Sequence, residues 1–239
     1  PEQFDDAKYS AEKERSVGLG VMGFHSYLQQ HSIPLESVMS KAWNKKIFKH
    51  IQEHVDQASK DLADERGPCP DAADYGYNER FSNKTAIAPT ASISIICGGA
   101  SPGVEPVAAN SYTHKTLSGS FNVRNRYLVE LLEKHGKNTD DVWSEITTNQ
   151  GSVSHLDFLT DLEKDVFKTA FELDQKWIIE LSGDRTPYIS QAQSINLFVP
   201  ADIHKRELHK IHFDAWKKGL KSLYYCRSKS IQRAENVND

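Results

Sequence analysis

The sequence predicts an α/β fold in which parallel strands alternate with helices that lie outside them. Helical segments alternate with short apolar segments along the chain, and this alternation favours parallel strands joined by helical crossovers. No repeat and no low-complexity linker divides the 239 residues. We therefore predict a single structural region over residues 1–239.

The first half of the chain predicts one strand and two helices. A strand at 16–23 runs into a turn, and helices follow at 24–31 and 36–65. The long helix ends at Gly67 and Pro68, because glycine favours helix ends and proline cannot continue a helix. Its predicted buried stripe has helical spacing and consists of Trp43, Ile47, Ile51, Val55, Ala58 and Leu62.

The second half predicts three strands and five helices. The strands lie at 85–88, 193–199 and 220–226. Pro89 ends the first of them, because proline cannot donate to a central ladder. Thr139 is the expected N-cap of one helix. The helices are predicted at 90–97, 124–135, 140–148, 161–182 and 201–218.

Composition excludes several classes of function. Lysine and arginine total 29 against 33 acidic residues, a net charge of −4 that predicts no surface for direct nucleic-acid binding. The 3 cysteines are widely spaced, which favours a reducing compartment and hence the cytoplasm. No apolar run approaches the roughly 20 residues of a membrane span, so no membrane partner is expected.

A glycine motif at 18–23 matches the dinucleotide-binding fingerprint in its letters. The strand before it is very short, and no second strand presents an acidic residue some twenty positions later. Close backbone packing at a strand-to-helix turn is the favoured interpretation.

Two groups of histidines could suggest a metal site. His50-x-x-Glu53-His54 matches the inverted zinc-protease motif, but Glu53 falls on the opposite face of the predicted helix and lysines crowd the same turns. A second group is interpreted as helix-surface residues and consists of His204, His209 and His212. No metal is predicted.

Residues 88–94, Ala-Pro-Thr-Ala-Ser-Ile-Ser, form the best candidate ligand site. Pro89 stops the strand, and Thr90 and Ser92 are natural helix caps. The backbone N–H groups that follow have no acceptor within the helix and suit a phosphate. Local physics alone favours a plain capped helix.

Tyr224 and Tyr225 close an apolar run near the end of the chain. Aromatic residues are favoured on half-buried sheets, so such a pair is ordinarily part of a strand. The surrounding residues, Ala-Trp-Lys-Lys-Gly-Leu-Lys-Ser-Leu-Tyr-Tyr-Cys-Arg-Ser at 215–228, are more specific.

Those surroundings resemble the last barrel strand of the large subunit of class I ribonucleoside-diphosphate reductases. Residues 88–92 together with Gly-Val-Glu-Pro at 103–106 are similar to the substrate-phosphate region of that family. Further similar blocks follow in family order at 15–23, 117–121, 149–152, 190–196 and 216–221. The resemblance implies the C-terminal half of a ten-stranded α/β barrel, with parallel strands and helices outside, completed by a separate N-terminal half.

The resemblance also implies site residues. Tyr224 and Tyr225 would relay a radical during the reduction of ribonucleoside diphosphates to 2′-deoxyribonucleoside diphosphates. Ile93 stands where many relatives have a hydroxyl residue, so only its backbone N–H could serve. The residues expected to wrap the substrate diphosphate are Thr90, Ala91, Ser92 and Ile93.

The implied cofactor and partners lie on other polypeptides. No cofactor is expected to bind this chain directly, because the family's radical comes from a metal centre in the small subunit. The expected partners are the N-terminal half of the large subunit, the small subunit, a nucleoside diphosphate and, for the whole complex, thioredoxin or glutaredoxin. None of the three cysteines matches the family's catalytic positions.

A relay places a demand on the backbone at the tyrosine pair. Adjacent residues of a regular strand point to opposite faces, so the strand must bend or end there for the two rings to meet. Buried phenols would also remain neutral at physiological pH.

Two other functions remain open at this point. The chain could be a non-catalytic assembly module of the same complex, or an unrelated nucleotide-binding enzyme that uses residues 18–23 and the Thr90 loop. It also remains open whether the N-terminal half is a separate gene product or has been removed.

Overall fold

The computed structural model describes residues 4–116 and 119–229. Within these residues, β1 (Ser111–Thr116) and β2 (Gly119–Arg124) form an antiparallel hairpin, and β3 (Leu197–Pro200) pairs in parallel with the distant β4 (Cys226–Lys229). A 3₁₀ turn at Thr186–Tyr188 follows one helix directly. The helices are α1 (Asp5–Glu14), α2 (Phe24–Gln30), α3 (Val38–Arg66), α4 (Pro70–Asp74), α5 (Ala91–Ile96), α6 (Arg126–Lys134), α7 (Asp140–Thr148), α8 (Asp161–Val166), α9 (Gln175–Arg185) and α10 (Lys205–Lys217).

Four extended segments lie side by side in chain order and all run parallel. The first, near Leu19, pairs with the second at Thr85, and the second pairs with the third through Ile87 and Gln193. The third continues into β3, which pairs with β4. These are the four predicted strands, and their parallel order is that of an α/β barrel fragment with crossovers between neighbours.

The main core lies between the parallel segments and helices α2, α3 and α9. Ile87 and Ile195 contribute from the segments, and Phe24, Phe48 and Leu181 contribute from the helices. A second cluster packs beneath α6, α7 and α8. Burial of these two apolar sets holds the helices against the strands.

A buried arginine joins three elements of the main core. Arg185 of α9 is 1% exposed, and its guanidinium donates to the Asn44 side chain of α3, to Ser182 Oγ and to Gln193 Oε1 of the third segment. Three hydrogen bonds to neutral side-chain oxygens thus compensate the cost of burying the Arg185 guanidinium charge.

The buried face of α3 differs from the predicted stripe. The residues of that stripe are half-buried or exposed, and the fully buried positions are Ser40, Asn44, Phe48, Ser59 and Ala63. Three of these positions are polar because each makes a hydrogen bond: the Asn44 amide donates to Leu181 O of α9 at 2.8 Å, Ser59 Oγ accepts from Arg80 N–H, and Ser40 Oγ donates to Leu35 O. The predicted helix is confirmed within two residues, with Ser37 Oγ as its N-cap.

The predicted helix at 161–182 is wrong in its continuity. It divides into α8 and α9, because the backbone between them bonds elsewhere: the Asn110 amide donates to Phe167 O, and Ala170 N–H donates to Val107 O. Asp174 then caps α9, which passes through Gly183 and ends at Arg185.

The other differences are at element boundaries, in one hairpin, and in the helices α1 and α4, which were not predicted. The β1–β2 hairpin was not predicted, and because β2 runs to Arg124, α6 begins two residues late behind its Asn125 cap. The α10 helix begins behind His204, and the α7 helix has the predicted bounds and Thr139 cap. Within the described ranges, no helix is long and apolar enough to cross a membrane.

Candidate functional site

Parallel register places the Thr90 loop and the tyrosine pair at one level of the sheet. Ile87 lies opposite Gln193, so the chain reaches Pro89 at the level of Ile195. Tyr224 N–H donates to Ile195 O at 2.8 Å, which brings the tyrosines to the same level. The Thr90 loop follows the second segment and the tyrosines lie on the fourth, so two strand spacings separate them. At roughly 4.8 Å per spacing, the separation is about 10 Å in total.

The loop after the second segment turns sharply at Thr90. This residue has φ +53°, in the left-handed region that non-glycine residues rarely adopt. Its Oγ1 accepts a 2.7 Å hydrogen bond from Gly103 N–H. A Cβ at Gly103 would lie 2.9 Å from Ala88 O, so glycine is required for this approach.

The capping expectation at this loop is wrong in detail. Thr90 occupies the N-cap position of α5, but its side chain makes no capping bond because Gly103 N–H engages it. The next three residues, Ala91, Ser92 and Ile93, are exposed, and their N–H groups form the first turn of the helix. Such donors have no acceptor inside a helix, so the loop presents an uncapped turn to solvent.

The two tyrosine side chains meet. Their hydroxyl oxygens are 3.3 Å apart, and their ring centroids are 4.1 Å apart at an interplanar angle of 52°. The regular pairing of β4 begins only at Cys226. The expected departure from a regular strand is therefore present at this pair.

A β-bulge produces that departure. In a regular parallel ladder, the N–H of one residue donates to the residue before its partner. The C=O of that same residue accepts from the residue after its partner. Here Ile195 O accepts from Tyr224 N–H, while Leu197 N–H donates to Tyr225 O at 2.9 Å. Two tyrosines thus lie opposite the single residue Asn196, and the extra residue turns both rings to one side.

Both phenols are half exposed, Tyr224 at 50% and Tyr225 at 54%, whereas burial was expected. The pKa of Tyr224 is raised, chiefly by its hydrogen bond to Tyr225 and next by electrostatic interaction with that phenol. A raised pKa keeps the Tyr224 phenol neutral near pH 7, so it retains the proton that a relay must move.

A buried carboxylate, which the sequence reasoning missed, lies behind the bulge. Glu105 is 7% exposed, and its two oxygens accept from Asn196 N–H and from Asn196 Nδ2, both at 3.1 Å. Asn196 Oδ1 accepts from Tyr225 N–H at 3.0 Å. Burial raises the pKa of Glu105, while the two Asn196 bonds and the Arg227 charge oppose that shift.

One sequence signal could have found Glu105. It is the single charged residue in the stretch Pro-Gly-Val-Glu-Pro-Val-Ala-Ala at 102–109. A lone carboxylate in an apolar segment is expected to be buried and bonded. Its partner lies 91 residues away, which no local pattern indicates.

The glycine motif at 18–23 serves close packing. A Cβ at Gly20 would lie 2.7 Å from Ala86 O, so the two strands could not approach with a larger residue. Gly23 N–H donates to Ser101 O, and Ser26 N–H donates to Ser101 Oγ. Protein groups therefore occupy the helix N-terminus that a dinucleotide phosphate would need.

The histidine groups lie on helix surfaces. The rings of His50 and His54 lie 4.1 Å apart and tilted by 45° on the exposed face of α3, where Lys49 pairs with Glu53. His204 Nδ1 accepts from Arg206 N–H as the cap of α10. Within the part of the chain that the structure describes, no three His, Cys, Asp or Glu side chains are grouped to hold a metal ion.

The cysteines also lie apart from one another. Cys69 is buried, and Cys97 and Cys226 are exposed; all three lie in the described ranges as free thiols.

Comparison with known proteins gives consistent matches along the chain. The family model described as "Ribonucleotide reductase, barrel domain" matches residues 2–79 and 71–226. The ribonucleoside-diphosphate reductase large subunit of Invertebrate iridescent virus 6 is 49% identical over 100% of this chain and 25% of its own length. That of Invertebrate iridescent virus 3 is 44% identical over 100% of this chain and 38% of its length.

A solved structure has the same arrangement. The Actinobacillus ureae class Id ribonucleotide reductase alpha subunit superposes with a TM-score of 0.87 at 40% identity, covering 95% of this chain and 41% of that chain. The chain therefore spans well under half of the relatives it matches.

Proposed function

The chain belongs to the ribonucleotide reductase barrel-domain family, and from that premise we propose that it is part of an enzyme reducing ribonucleoside diphosphates to 2′-deoxyribonucleoside diphosphates. In this proposal it supplies a substrate phosphate loop and a two-tyrosine radical relay. The single observation that carries the proposal is the approach of the Tyr224 and Tyr225 hydroxyls to 3.3 Å.

The loop at Thr90 to Ile93 holds the diphosphate in this proposal. Its exposed first helical turn offers backbone N–H donors at Ala91, Ser92 and Ile93, and the helix dipole favours an anion there. The hydrogen bond from Gly103 N–H to Thr90 Oγ1 fixes the turn before substrate arrives. A preformed turn lowers the entropy lost on binding.

The tyrosine pair exchanges an electron and a proton together. A phenoxyl radical on one ring takes the electron and the hydroxyl proton of the other, so the first becomes a phenol and the second a radical. Each ring stays neutral, and no charge is left in the site. The hydrogen bond between the two hydroxyls provides the path for the proton.

The electrons and the initiating radical come from partners. The radical is generated at the metal centre of a small subunit. A thioredoxin or glutaredoxin dithiol, oxidised to a disulfide, supplies the two electrons and two protons that reduce the ribose C2′–OH to C2′–H, and the hydroxyl leaves as water. This chain holds no cofactor of its own in the proposal. Its free thiols suit a reducing compartment such as the cytoplasm.

The remaining strands of the barrel are the structural partner. Within the described residues, the first parallel segment pairs on one side only, and it exposes Val17 at 45% and Leu19 at 53%. Ile96 of α5 is 84% exposed. Open edges and exposed apolar side chains favour association with the rest of the barrel, on this or another polypeptide.

The test is nucleotide reduction by the complete complex that carries Tyr224→Phe or Tyr225→Phe. Each change keeps the ring but removes the exchangeable proton, so turnover should fall to the background of the assay. Tyr75, which is 81% exposed, provides the matched Tyr75→Phe control with normal turnover. Normal turnover in both relay variants would refute the proposal, and an assembly module without chemistry would give no turnover even in the unmodified complex.

A further inference from the structure

The β-bulge at the tyrosine pair leaves one backbone group without its usual ladder partner. Tyr224 N–H bonds to Ile195 O, and Tyr225 O accepts from Leu197 N–H, so the ladder has no carbonyl for Tyr225 N–H. Asn196 Oδ1 accepts that N–H at 3.0 Å. A side chain thus completes the hydrogen bonding of the extra residue.

Asn196 is oriented in turn by the carboxylate behind it. Glu105 accepts both the Asn196 N–H and the Asn196 Nδ2 hydrogen, and Asn196 and Glu105 are 2% and 7% exposed. With its amide nitrogen bonded to a carboxylate, the Asn196 side chain presents only its oxygen towards Tyr225. A flipped amide would point a donor at another donor.

We propose that Glu105 and Asn196 are a positioning pair that holds the tyrosine bulge, and thereby keeps the two phenols in contact for radical transfer. The inference rests on the proposed relay and adds two residues to it. Neither residue touches the phenols' hydroxyls; both act through the backbone of Tyr225.

The same pair links the tyrosines to the phosphate loop. Glu105 follows two residues after Gly103, whose N–H fixes the Thr90 side chain. The segment that shapes the loop therefore also carries the carboxylate that orients Asn196, and both anchors lie on one short stretch of backbone.

An exchange of the acid and the amide tests this pairing. Glu105→Gln places two amides against each other, and Asn196→Asp places two acids against each other. The double variant restores one acid and one amide with their positions swapped. The glutamine introduced at position 105 can accept from the backbone N–H of residue 196 and donate to the carboxylate introduced there. The other oxygen of that carboxylate can still accept from Tyr225 N–H.

In the complete complex, each single variant should lower kcat by about tenfold, as expected for a misplaced hydrogen-bonding group near the reacting centre. The KM for the nucleoside diphosphate should change less than kcat, because the phosphate loop is retained. The double variant should recover kcat to within about threefold of the unmodified complex, as a double-mutant cycle with strong coupling requires.

Failure of this inference is distinguishable from failure of the relay. Normal turnover in both Tyr224→Phe and Tyr225→Phe would refute the relay itself. If Tyr224→Phe and Tyr225→Phe are inactive but Glu105→Gln and Asn196→Asp both have normal kcat, only the positioning role is overturned. A double variant as impaired as Asn196→Asp, with thermal unfolding like that of the unmodified complex, would overturn it as well.

Discussion

Single side chains set the geometry of this chain through buried hydrogen bonds. The bond at His25 requires a ring nitrogen that carries no proton. His25 is 1% exposed, and its Nδ1 accepts from Val107 N–H at 3.1 Å. Burial lowers the pKa of His25 to about 3, since the neutral ring is favoured inside the fold.

We therefore predict an acid-dependent loss of stability that His25→Asn removes. An unfolded histidine takes up a proton near pH 6.5, whereas folded His25 resists it down to about pH 3. The contribution of neutral His25 to the free energy of unfolding is fully present above pH 6.5. It is lost as the pH falls towards 3, at up to about 1.4 kcal/mol per pH unit. Asparagine keeps an acceptor for Val107 N–H but does not titrate.

The measurement is chemical denaturation of the unmodified and His25→Asn chains across this pH range. The difference between their unfolding free energies should change steadily below pH 6.5 and be constant above it. A difference that does not depend on pH would contradict the assignment of a buried neutral His25.

At the residue scale, the sequence predicted the Thr90 loop and the tyrosine pair but not what positions them. Motif order identified Tyr224 and Tyr225, and the need for two phenols to meet predicted a break in the strand. Glu105 and Asn196 could not be paired from the sequence, because their contact is fixed by tertiary folding across 91 positions. The hydrogen bond that Gly103 N–H donates to Thr90 Oγ1 likewise replaced the local cap that the sequence suggested.

At the scale of elements, the turn into α5 depends on a close backbone approach at Gly103. Gly103 has φ +50°, and an added Cβ would lie 2.9 Å from Ala88 O. Gly99 offers a matched comparison in the same connection, because it has φ +73° with no atom within 4 Å of an added Cβ.

We predict that Gly103→Ala raises the KM for nucleoside diphosphate by about tenfold or more, since it adds a backbone clash to the left-handed strain of roughly 1 kcal/mol that Gly99→Ala carries alone. Gly99→Ala should change KM by less than about threefold. Steady-state kinetics of the complete complex measures both, and equal KM values in the two variants would show that the Gly103 approach does not shape the loop.

Element prediction succeeded where periodicity or capping was strong. The α3 and α7 helices and the four parallel segments follow from such signals. The β1–β2 hairpin was missed because its strands, Ser-Tyr-Thr-His-Lys-Thr and Gly-Ser-Phe-Asn-Val-Arg, carry little apolar alternation. The break between α8 and α9 arises from bonds to Asn110 and Val107, which helical periodicity cannot detect.

At the scale of the whole molecule, parallel register brings two candidate sites from distant parts of the sequence to one level. The second segment leads into the Thr90 loop, and the fourth carries the tyrosines to the same level. The parallel direction of the strands could be predicted from the alternation of elements, and their barrel arrangement from the family resemblance. The level at which each strand ends required the observed register. The open edge beside Leu19 follows from the same arrangement.

We predict that this chain forms a stable complex with the remaining strands of the barrel. Burial of the edge near Leu19 should drive association, so Leu19→Lys should weaken it by about tenfold or more, whereas Val38→Lys on the outer surface of α3 should not. Co-purification and sedimentation measure the affinity. A monodisperse chain with no affinity for the remaining strands would contradict the barrel assignment.

The most direct test of the relay is to trap the radical on this chain. Replacing Tyr225 with 3-aminotyrosine gives a phenol that is oxidised more easily, so a radical arriving there should stop. After mixing with the small subunit, the remaining strands and a nucleoside diphosphate, electron paramagnetic resonance should show an aminotyrosyl radical that grows as the small-subunit radical declines. A persistent small-subunit radical without an aminotyrosyl signal, in a complex of verified assembly, would contradict the account.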